Sequence, residues 1–246
     1  MIRVEDEGPV RIITLDRAEK RNALTPPMLS RLADAAEDLG STDSRAVLVR
    51  GEGKVFCAGF DLDECRGDTS GEVMRAFMNE LSRAIAAMRS APMPVVLCAH
   101  GAAVAGGCAL LGGADVVVAD PAAKLGYPVV RLGISPAVSA PFLRLGAGDG
   151  SCRVRMLDPG LIDGARAAEI GLVHELAEDA SSRAREIAAS LAAKPRDAVR
   201  ATKRLLNEIS PTITSAQLGL TTSLSLTSGD EAHELLERFW QRKAAT

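Results

Sequence analysis

The sequence predicts an α/β or α+β fold built on a largely parallel sheet, followed by a helical region. Three observations carry that prediction. Short apolar runs recur through the first half, at residues 10–15, 46–50, 95–99 and 115–119. Amphipathic helical patterns separate them. From about Asp163 onward the patterning turns mainly helical. The change falls near Asp158-Pro159-Gly160, so 1–160 reads as the α/β core and 161–246 as the helical region.

The elements follow in order. Residues 10–15 form a strand and 16–22 a polar loop. Thr25 is an N-cap candidate with Pro26 at the first helical position. That helix reaches about Leu39, with Leu29, Leu32, Ala35, Ala36 and Leu39 on one face, and Gly40 ends it. Residues 46–50 are a buried strand and Gly51-Glu52-Gly53 a turn. Residues 55–57 read as a further strand, running into Ala58-Gly59. A long helix covers about 71–90. A strand at 95–99, a helix starting at 106–111 and a strand at 115–119 complete the core. Beyond it, 162–170, 180–193, 195–208 and 230–243 are amphipathic, and the Ser/Thr-rich stretch 212–228 also fits a helix.

Composition narrows the function. The chain has 246 residues, 47% hydrophobic and 25% charged, which is ordinary globular composition. A formal net charge of -3 gives no basic surplus for nucleic acid. Only 3% of residues are aromatic, too few for a single-strand stacking platform. The nearly uncharged run 92–118 has the length of a membrane span, but Gly101, Gly106, Gly107, Gly112 and Gly113 interrupt it. It reads as strand, turn, short buried helix and strand, with no membrane partner. Cys57, Cys65, Cys98, Cys108 and Cys152 show no zinc spacing, so no metal site is expected. They read as reduced thiols of a cytoplasmic protein. The opening MIRVEDEGPV has no apolar core of a signal peptide.

Two glycine-containing loops follow buried strands. One is Val55-Phe56-Cys57-Ala58-Gly59-Phe60-Asp61-Leu62. The other is His100-Gly101-Ala102-Ala103-Val104-Ala105-Gly106-Gly107-Cys108. Small residues let a backbone approach a ligand, and a glycine pair opening a helix leaves N–H groups unpaired. Two such loops can supply convergent donors, an oxyanion hole suited to a thioester enolate. Two tight turns in a small-residue core explain the same pattern.

Five stretches extend the reading. Ile13-Thr14-Leu15-Asp16-Arg17-Ala18-Glu19-Lys20-Arg21-Asn22-Ala23-Leu24 is similar to LNRPxxxNAL, and Phe56-Cys57-Ala58-Gly59-Phe60-Asp61-Leu62 to FxAGxDL. Ala105-Gly106-Gly107-Cys108 stands where GGGxE is found. Gly126-Tyr127-Pro128-Val129-Val130-Arg131-Leu132-Gly133 is similar to FxxPExxLG. Ile162-Asp163-Gly164-Ala165-Arg166-Ala167-Ala168-Glu169-Ile170-Gly171-Leu172-Val173 is similar to IDAxEAxxxGLV. Together they resemble the enoyl-CoA hydratase/isomerase (crotonase) superfamily over nearly the whole chain.

The resemblance implies the α/β crotonase (ClpP/crotonase-like) fold, a spiral of ββα turns with a helical C-terminal trimerisation region. It implies a homotrimer or a dimer of trimers. It also implies an acyl-CoA ligand, with coenzyme A arriving as part of the substrate and no permanently bound cofactor. The oxyanion donors would be the N–H groups of Phe60 and Gly106, with Gly107 beside them. Arg21, Ala23, Ala58, Asp61 and Leu62 would line the adenine and pantetheine path. Phe239 and Arg242 resemble residues that help hold the nucleotide end, although Phe239 and Trp240 also fit plain packing of the last helix.

The resemblance implies that the positions of the family's two hydration glutamates are held here by Ala109 and Val129. Each acid–base group contributes typically about 10²–10⁴-fold, so very slow or absent hydration is expected. Tyr127 is a candidate proton donor, or a packed ring with a satisfied hydroxyl. Ser135 lies in the same segment. His100 reads as a buried core histidine, Cys108 as an inert thiol, and Asp61 as a loop-holding carboxylate. Asp63, Glu64 and Asp68 read as solvated.

Three functions remain: a non-hydratase lyase or isomerase reaction such as decarboxylation, a catalytically inactive acyl-CoA-binding protein, and a serine hydrolase. The last would use Ser135 in Gly133-Ile134-Ser135-Pro136-Ala137, with His174 or His233 as base. Gly51-Glu52-Gly53-Lys54 lacks P-loop spacing, and His233-Glu234-Leu235-Leu236-Glu237 lacks the second histidine of a zinc motif.

Overall fold

A computed structural model describes residues 1–210 and 212–244. The last two residues of the helical region 161–246 lie outside the described residues. The chain opens with a hairpin, β1 (Ile2–Glu7) and β2 (Val10–Leu15), whose turn passes through Gly8 at φ 57°. Next come α1 (Pro26–Glu37), β3 (Ala46–Gly51), α2 (Glu72–Ser90), β4 (Val95–Cys98), β5 (Ala102–Val104), α3 (Gly106–Ala109), β6 (Val116–Ala119) and β7 (Lys124–Gly126). Then follow α4 (Ala140–Leu157), β8 (Ile162–Asp163), α5 (Gly164–Glu169), β9 (Glu175–Leu176), α6 (Ala180–Ala192), α7 (Arg196–Glu208), α8 (Thr212–Leu224) and α9 (Asp230–Ala244).

The main sheet runs β1-β2-β3-β4-β6-β9, parallel except for the β1–β2 hairpin. Its central strands β2, β3, β4 and β6 are mostly apolar because both their faces are covered. The alternation is strict. Val10, Ile12, Ala46, Leu48, Val96, Cys98 and Val118 point toward α6, which meets them with Ala180, Ala184, Ala188 and Ala192. Ile13, Leu15, Val47, Val49, Val95, Leu97 and Val117 point into the larger core with α1 and α2. A second sheet, β5-β7-β8, stands beside the first.

Several elements differ from the sequence expectations. β1 carries four exposed residues of its six, so it has no apolar signature, and it forms because β2 offers an edge. Residues 55–57 do not make a strand. They make a single bridge, Cys57 to Ala103, before the chain turns away. Helix α1 stops at Glu37 and a tighter 3₁₀ turn carries the chain to Ser41. Thr25 caps it as its position suggests, accepting the Met28 N–H at 3.4 Å. Residues 162–170 split into β8 and α5, with Asp163 accepting the Arg166 N–H at 2.8 Å. Helix α4 bends where Gly148 takes φ 74°.

Helix α7 is tied to the core by a cation. Lys203 Nζ reaches Asp115 Oδ2 at 2.7 Å, the Met93 carbonyl at 2.9 Å and the Met88 carbonyl at 3.4 Å. Burial lowers the Lys203 pKa and the Asp115 carboxylate opposes that. Among the described residues, no helix is long and apolar enough to cross a membrane.

The turn between β4 and β5 positions the first glycine loop. Gly101 has φ 64°, and a Cβ there would lie 2.2 Å from the Lys54 carbonyl oxygen. Gly101→Ala is expected to cost about 1–3 kcal/mol through backbone strain, with the clash added. A urea midpoint unchanged from the parent would contradict this.

Candidate functional site

The two glycine loops meet. Leu24 donates its N–H to the Gly59 carbonyl at 2.8 Å and accepts the Asp61 N–H at 2.8 Å. In this parallel bridge the residue between, Phe60, keeps its own N–H turned away from Leu24. Among the described residues neither the Phe60 nor the Gly106 N–H donates to a protein acceptor. The loops touch closely. A Cβ built on Gly59 would lie 3.0 Å from Ala105 Cβ and 3.8 Å from Gly106 N. One on Gly106 would lie 2.6 Å from Phe60 Cε1. Only glycine fits either place.

Ala105 sets the direction of the Gly106 N–H. It caps α3 with φ 53° and ψ -116°, a conformation that costs a residue with a Cβ about 1–3 kcal/mol. Its N–H bonds the Gly126 carbonyl at 2.8 Å and its carbonyl accepts the Ala109 N–H at 2.9 Å. Those bonds from both sides hold the strained residue. Gly107 plays a different part: its Cβ would meet Cys57 Cβ at 2.7 Å, so it serves close packing.

The loop carrying Phe60 is braced by charge and amide. Arg17 pairs with Asp61 at 2.8 Å and donates to the Ala23 carbonyl at 2.9 Å. Asn22 is fully buried. Its Oδ1 accepts the Arg17 N–H at 2.9 Å, and its Nδ2 donates to the carbonyls of Glu52 and Val55 at 2.8 and 2.9 Å. Arg21 and Asn22 both take positive φ, 53° and 54°. The Phe60 ring stacks on Phe77 at 4.4 Å.

A cleft of about 560 Å³ opens at this junction. Arg21, Ala23, Ala58, Asp61 and Leu62 line it, with Phe60 and Phe239. The last helix therefore divides its aromatics: Phe239 faces the cleft, and Trp240, 6% exposed, packs in the core under Arg66. Arg242 is exposed on α9, and Lys243 is the neighbour that lines the cleft. Sequence reasoning missed Lys20, Arg131 and Lys243 there. Lys20 lies inside the first motif and Arg131 inside the fourth, but a single chain offers no means of choosing which cations converge.

Lys243 bonds Asp63 at 2.5 Å and holds that carboxyl below its usual range. Asp68 accepts the Ser70 and Val73 N–H groups at 2.9 and 2.8 Å ahead of α2. These two carboxylates are engaged, contrary to the solvated reading, while Glu64 is exposed.

Behind the two free N–H groups lies a small cavity. Ala109, Tyr127 and Val129 line it, together with Phe60, Ala105, Gly106, Ile134, Ser135, Val138 and Ser139. Among the described residues, no Asp, Glu, His, Lys or Arg contributes to its wall. Tyr127 is 3% exposed and donates its O–H to the Cys108 carbonyl at 3.4 Å. Burial pushes its pKa well up. Ser135 Oγ accepts the Ala137 N–H at 3.3 Å, and among the described residues no histidine bonds it. Ser135 sits between two 3₁₀ turns rather than on a strand-to-helix elbow. His174 Nδ1 accepts the Val117 N–H at 2.9 Å. His100 is half-buried rather than buried, with Nε2 at 3.1 Å from the Gly53 carbonyl. Among the described residues no three metal-binding side chains gather.

The thiols beside the site are protonated. Burial raises Cys57 from its usual 9.0 to about 12 and Cys108 to about 11. Stability held by a raised thiol pKa is present below pH 9 and is lost as pH climbs through the folded-state value. The urea midpoint should hold to pH 9 and fall toward pH 11. Native protein at pH 8 should leave Cys57 and Cys108 unlabelled by a thiol reagent, and rapid labelling of either would contradict the burial argument.

The chain matches the family model described as Enoyl-CoA hydratase/isomerase over residues 5–244. It is similar to the Mycobacterium tuberculosis protein named "Probable enoyl-CoA hydratase EchA14", with 35% identity over 196 residues, 79% of this chain and 76% of that one. Its fold is similar to the crystal structure of an enoyl-CoA hydratase/isomerase from Mycobacterium paratuberculosis, with a TM-score of 0.89, 26% identity and coverage of 96% and 97% of the two chains. The enoyl-CoA hydratase/isomerase from Xanthobacter autotrophicus Py2 has a TM-score of 0.87 at 26% identity, covering 96% of this chain and 91% of that one. The sheet with its helical C-terminal region is the crotonase fold. The chain belongs to the enoyl-CoA hydratase/isomerase family.

Proposed function

We propose that the protein binds an acyl thioester of coenzyme A and stabilises its enolate through the Phe60 and Gly106 N–H groups, in a reaction other than hydration. The observation that carries this is the cavity wall: among the described residues it contains no carboxylate, histidine, lysine or arginine. Ala109 and Val129 lie in that wall, and by the motif resemblance they occupy the family's two glutamate positions. Neither side chain can hold an attacking water or pass its proton. The cleft suits the carrier. Lys20, Arg21, Arg131 and Lys243 bring cations to its rim for phosphates, and Phe239 offers a flat face.

Isomerisation shares hydration's need for a proton shuttle. Decarboxylation of a malonyl-type thioester does not. There the bond between the α-carbon and the carboxylate breaks, and its electron pair becomes the enolate. Carbon dioxide leaves, and the charge settles on the thioester oxygen between the two N–H donors. A proton then returns to the α-carbon from water or from Tyr127. Tyr127 would have to leave the Cys108 carbonyl to supply it, which favours water. That same commitment supports a second reading, an inactive acyl-CoA-binding protein.

Purified protein is expected to hydrate crotonyl-CoA at background rate and to decarboxylate one member of a malonyl-type thioester panel. Phe60→Pro, lacking one donor, should lower that decarboxylation by about 10²–10³-fold. Robust crotonyl-CoA hydration would overturn the reading. Thioester binding with no turnover anywhere on the panel would leave the binding protein.

We also propose a homotrimer or a dimer of trimers. Leu157, Leu206, Ile209 and Leu218 are 73%, 57%, 69% and 69% exposed, apolar surface that assembly would cover. Sedimentation velocity should show a trimer or hexamer, and a stable monomer would sink the proposal.

A further inference from the structure

We infer that the corner between the start of β3 and the start of α7 binds a phosphate group, apart from the thioester cleft and independently of that reading. A small hollow lies there. Arg45, Lys194, Arg196 and Arg200 stand in its wall, and apart from Ser44 the other lining residues are apolar. Among the described residues no carboxylate lines it.

Several half-buried guanidiniums of this chain meet carboxylates: Arg11 pairs with Asp6, Arg17 with Asp61 and Arg155 with Asp158. Arg45, Arg196 and Arg200 are half-buried too. Among the described residues these three make no ion pair, although the exposed Asp43 and Asp197 adjoin two of them in the sequence. Backbone holds them instead. Arg45 Nη2 donates to the Lys194 carbonyl at 2.6 Å, and Arg196 Nη2 donates to the Thr42 carbonyl at 3.2 Å. A neutral carbonyl fixes a guanidinium without cancelling its charge. Arg200 Nε and Nη2 are shut off from water and donate to no described residue, and the Nε atoms of Arg45 and Arg196 are buried and unpartnered as well. A buried charged donor without an acceptor is costly, and neighbouring like charges add to the cost. An anion supplies the acceptors and the opposite charge together.

The donors name the anion. Guanidinium forks match phosphate oxygens in pairs. Helix α7 begins at Arg196, and Pro195 before it gives no side-chain cap, so the positive helix end adds to the corner. The hollow holds about 10 Å³, room for roughly one water. One phosphate oxygen fits inside, and the others stay at the rim beside the exposed Lys194. Among the described residues no aromatic ring lines the hollow, so a nucleotide base finds nothing to stack on. Arg45 immediately precedes β3, whereas the loop carrying Phe60 follows the other end of that strand. Six residues of β3, roughly 20 Å, stand between them. A bound phosphate would clasp the segment before β3 to the linker between α6 and α7.

The test is thermal unfolding in inorganic phosphate and in glycerol 3-phosphate, each against sodium chloride at matched pH and ionic strength. The dependence of Tm on anion concentration gives the Kd. The parent should gain about 3–6 °C at ten times the Kd of the better anion. The stronger response tells free phosphate from a phosphate monoester, and either supports the site. Arg200→Gln removes no bond within the protein and should weaken anion binding at least about tenfold. Lys194→Gln changes an exposed side chain, so it folds even where Arg200→Gln does not, and should weaken binding about two- to fivefold. Equal Tm values in chloride and in both phosphates would overturn the inference. A phosphate gain undiminished in both variants would place the anion elsewhere and overturn it too.

Discussion

The site depends on how the segment 57–60 spends its backbone hydrogen bonds. Cys57 is bridged to Ala103 on one side, and Phe60 is bridged to Leu24 a few residues on. In the second bridge the bonds are made by Gly59 and Asp61, the residues flanking Phe60. One N–H is left over by geometry, and it faces the start of α3, where a helix N-terminus leaves another. Everything around this pair keeps the segment from slipping by a residue. Asn22 joins three backbone groups, Arg17 joins Asp61 to Ala23, and glycines at 59 and 106 permit contact that no other residue could make.

Much of this was legible in the sequence, for a physical reason. Positions where a backbone must approach a backbone demand glycine, and positions under two covered sheet faces demand continuous apolar runs. Both leave marks in a single chain. Gly59, Gly106, Gly107 and strands β2, β3, β4 and β6 were readable that way. What escaped was set by long-range geometry. β1 is an exposed edge whose pairing depends on β2, and β9 is two residues long. Residues 55–57 look like a strand because they are apolar, yet they make a single bridge, Cys57 to Ala103. Lys203 is one cation among many on an amphipathic helix until Asp115 and two carbonyls close around it. The cations at the cleft rim come from three separate parts of the chain.

The chemistry follows from what the small cavity lacks. A pocket whose described lining carries no charged side chain has a low effective dielectric, so the two N–H dipoles act strongly on any charge that develops between them. The same surroundings offer no neighbouring charge to support proton transfer. Burial raises the Tyr127, Cys57 and Cys108 pKa values together, so the site favours neutral forms. That is the ground for the proposed reading, in which the substrate carries its own leaving group rather than borrowing a proton.

Helix α6 has a consequence for how the chain is made. Four alanines of residues 180–192, with Ile187 and Leu191 beside them, cover the second face of β2, β3, β4 and β6. Those strands leave the ribosome first, and their valines and isoleucines have no partner on that side until α6 has followed. The emerging half-chain is then a sheet with one bare apolar face, the kind of surface on which nascent proteins aggregate or recruit chaperones. Completion of the fold is thus timed by a segment far from the strands it protects.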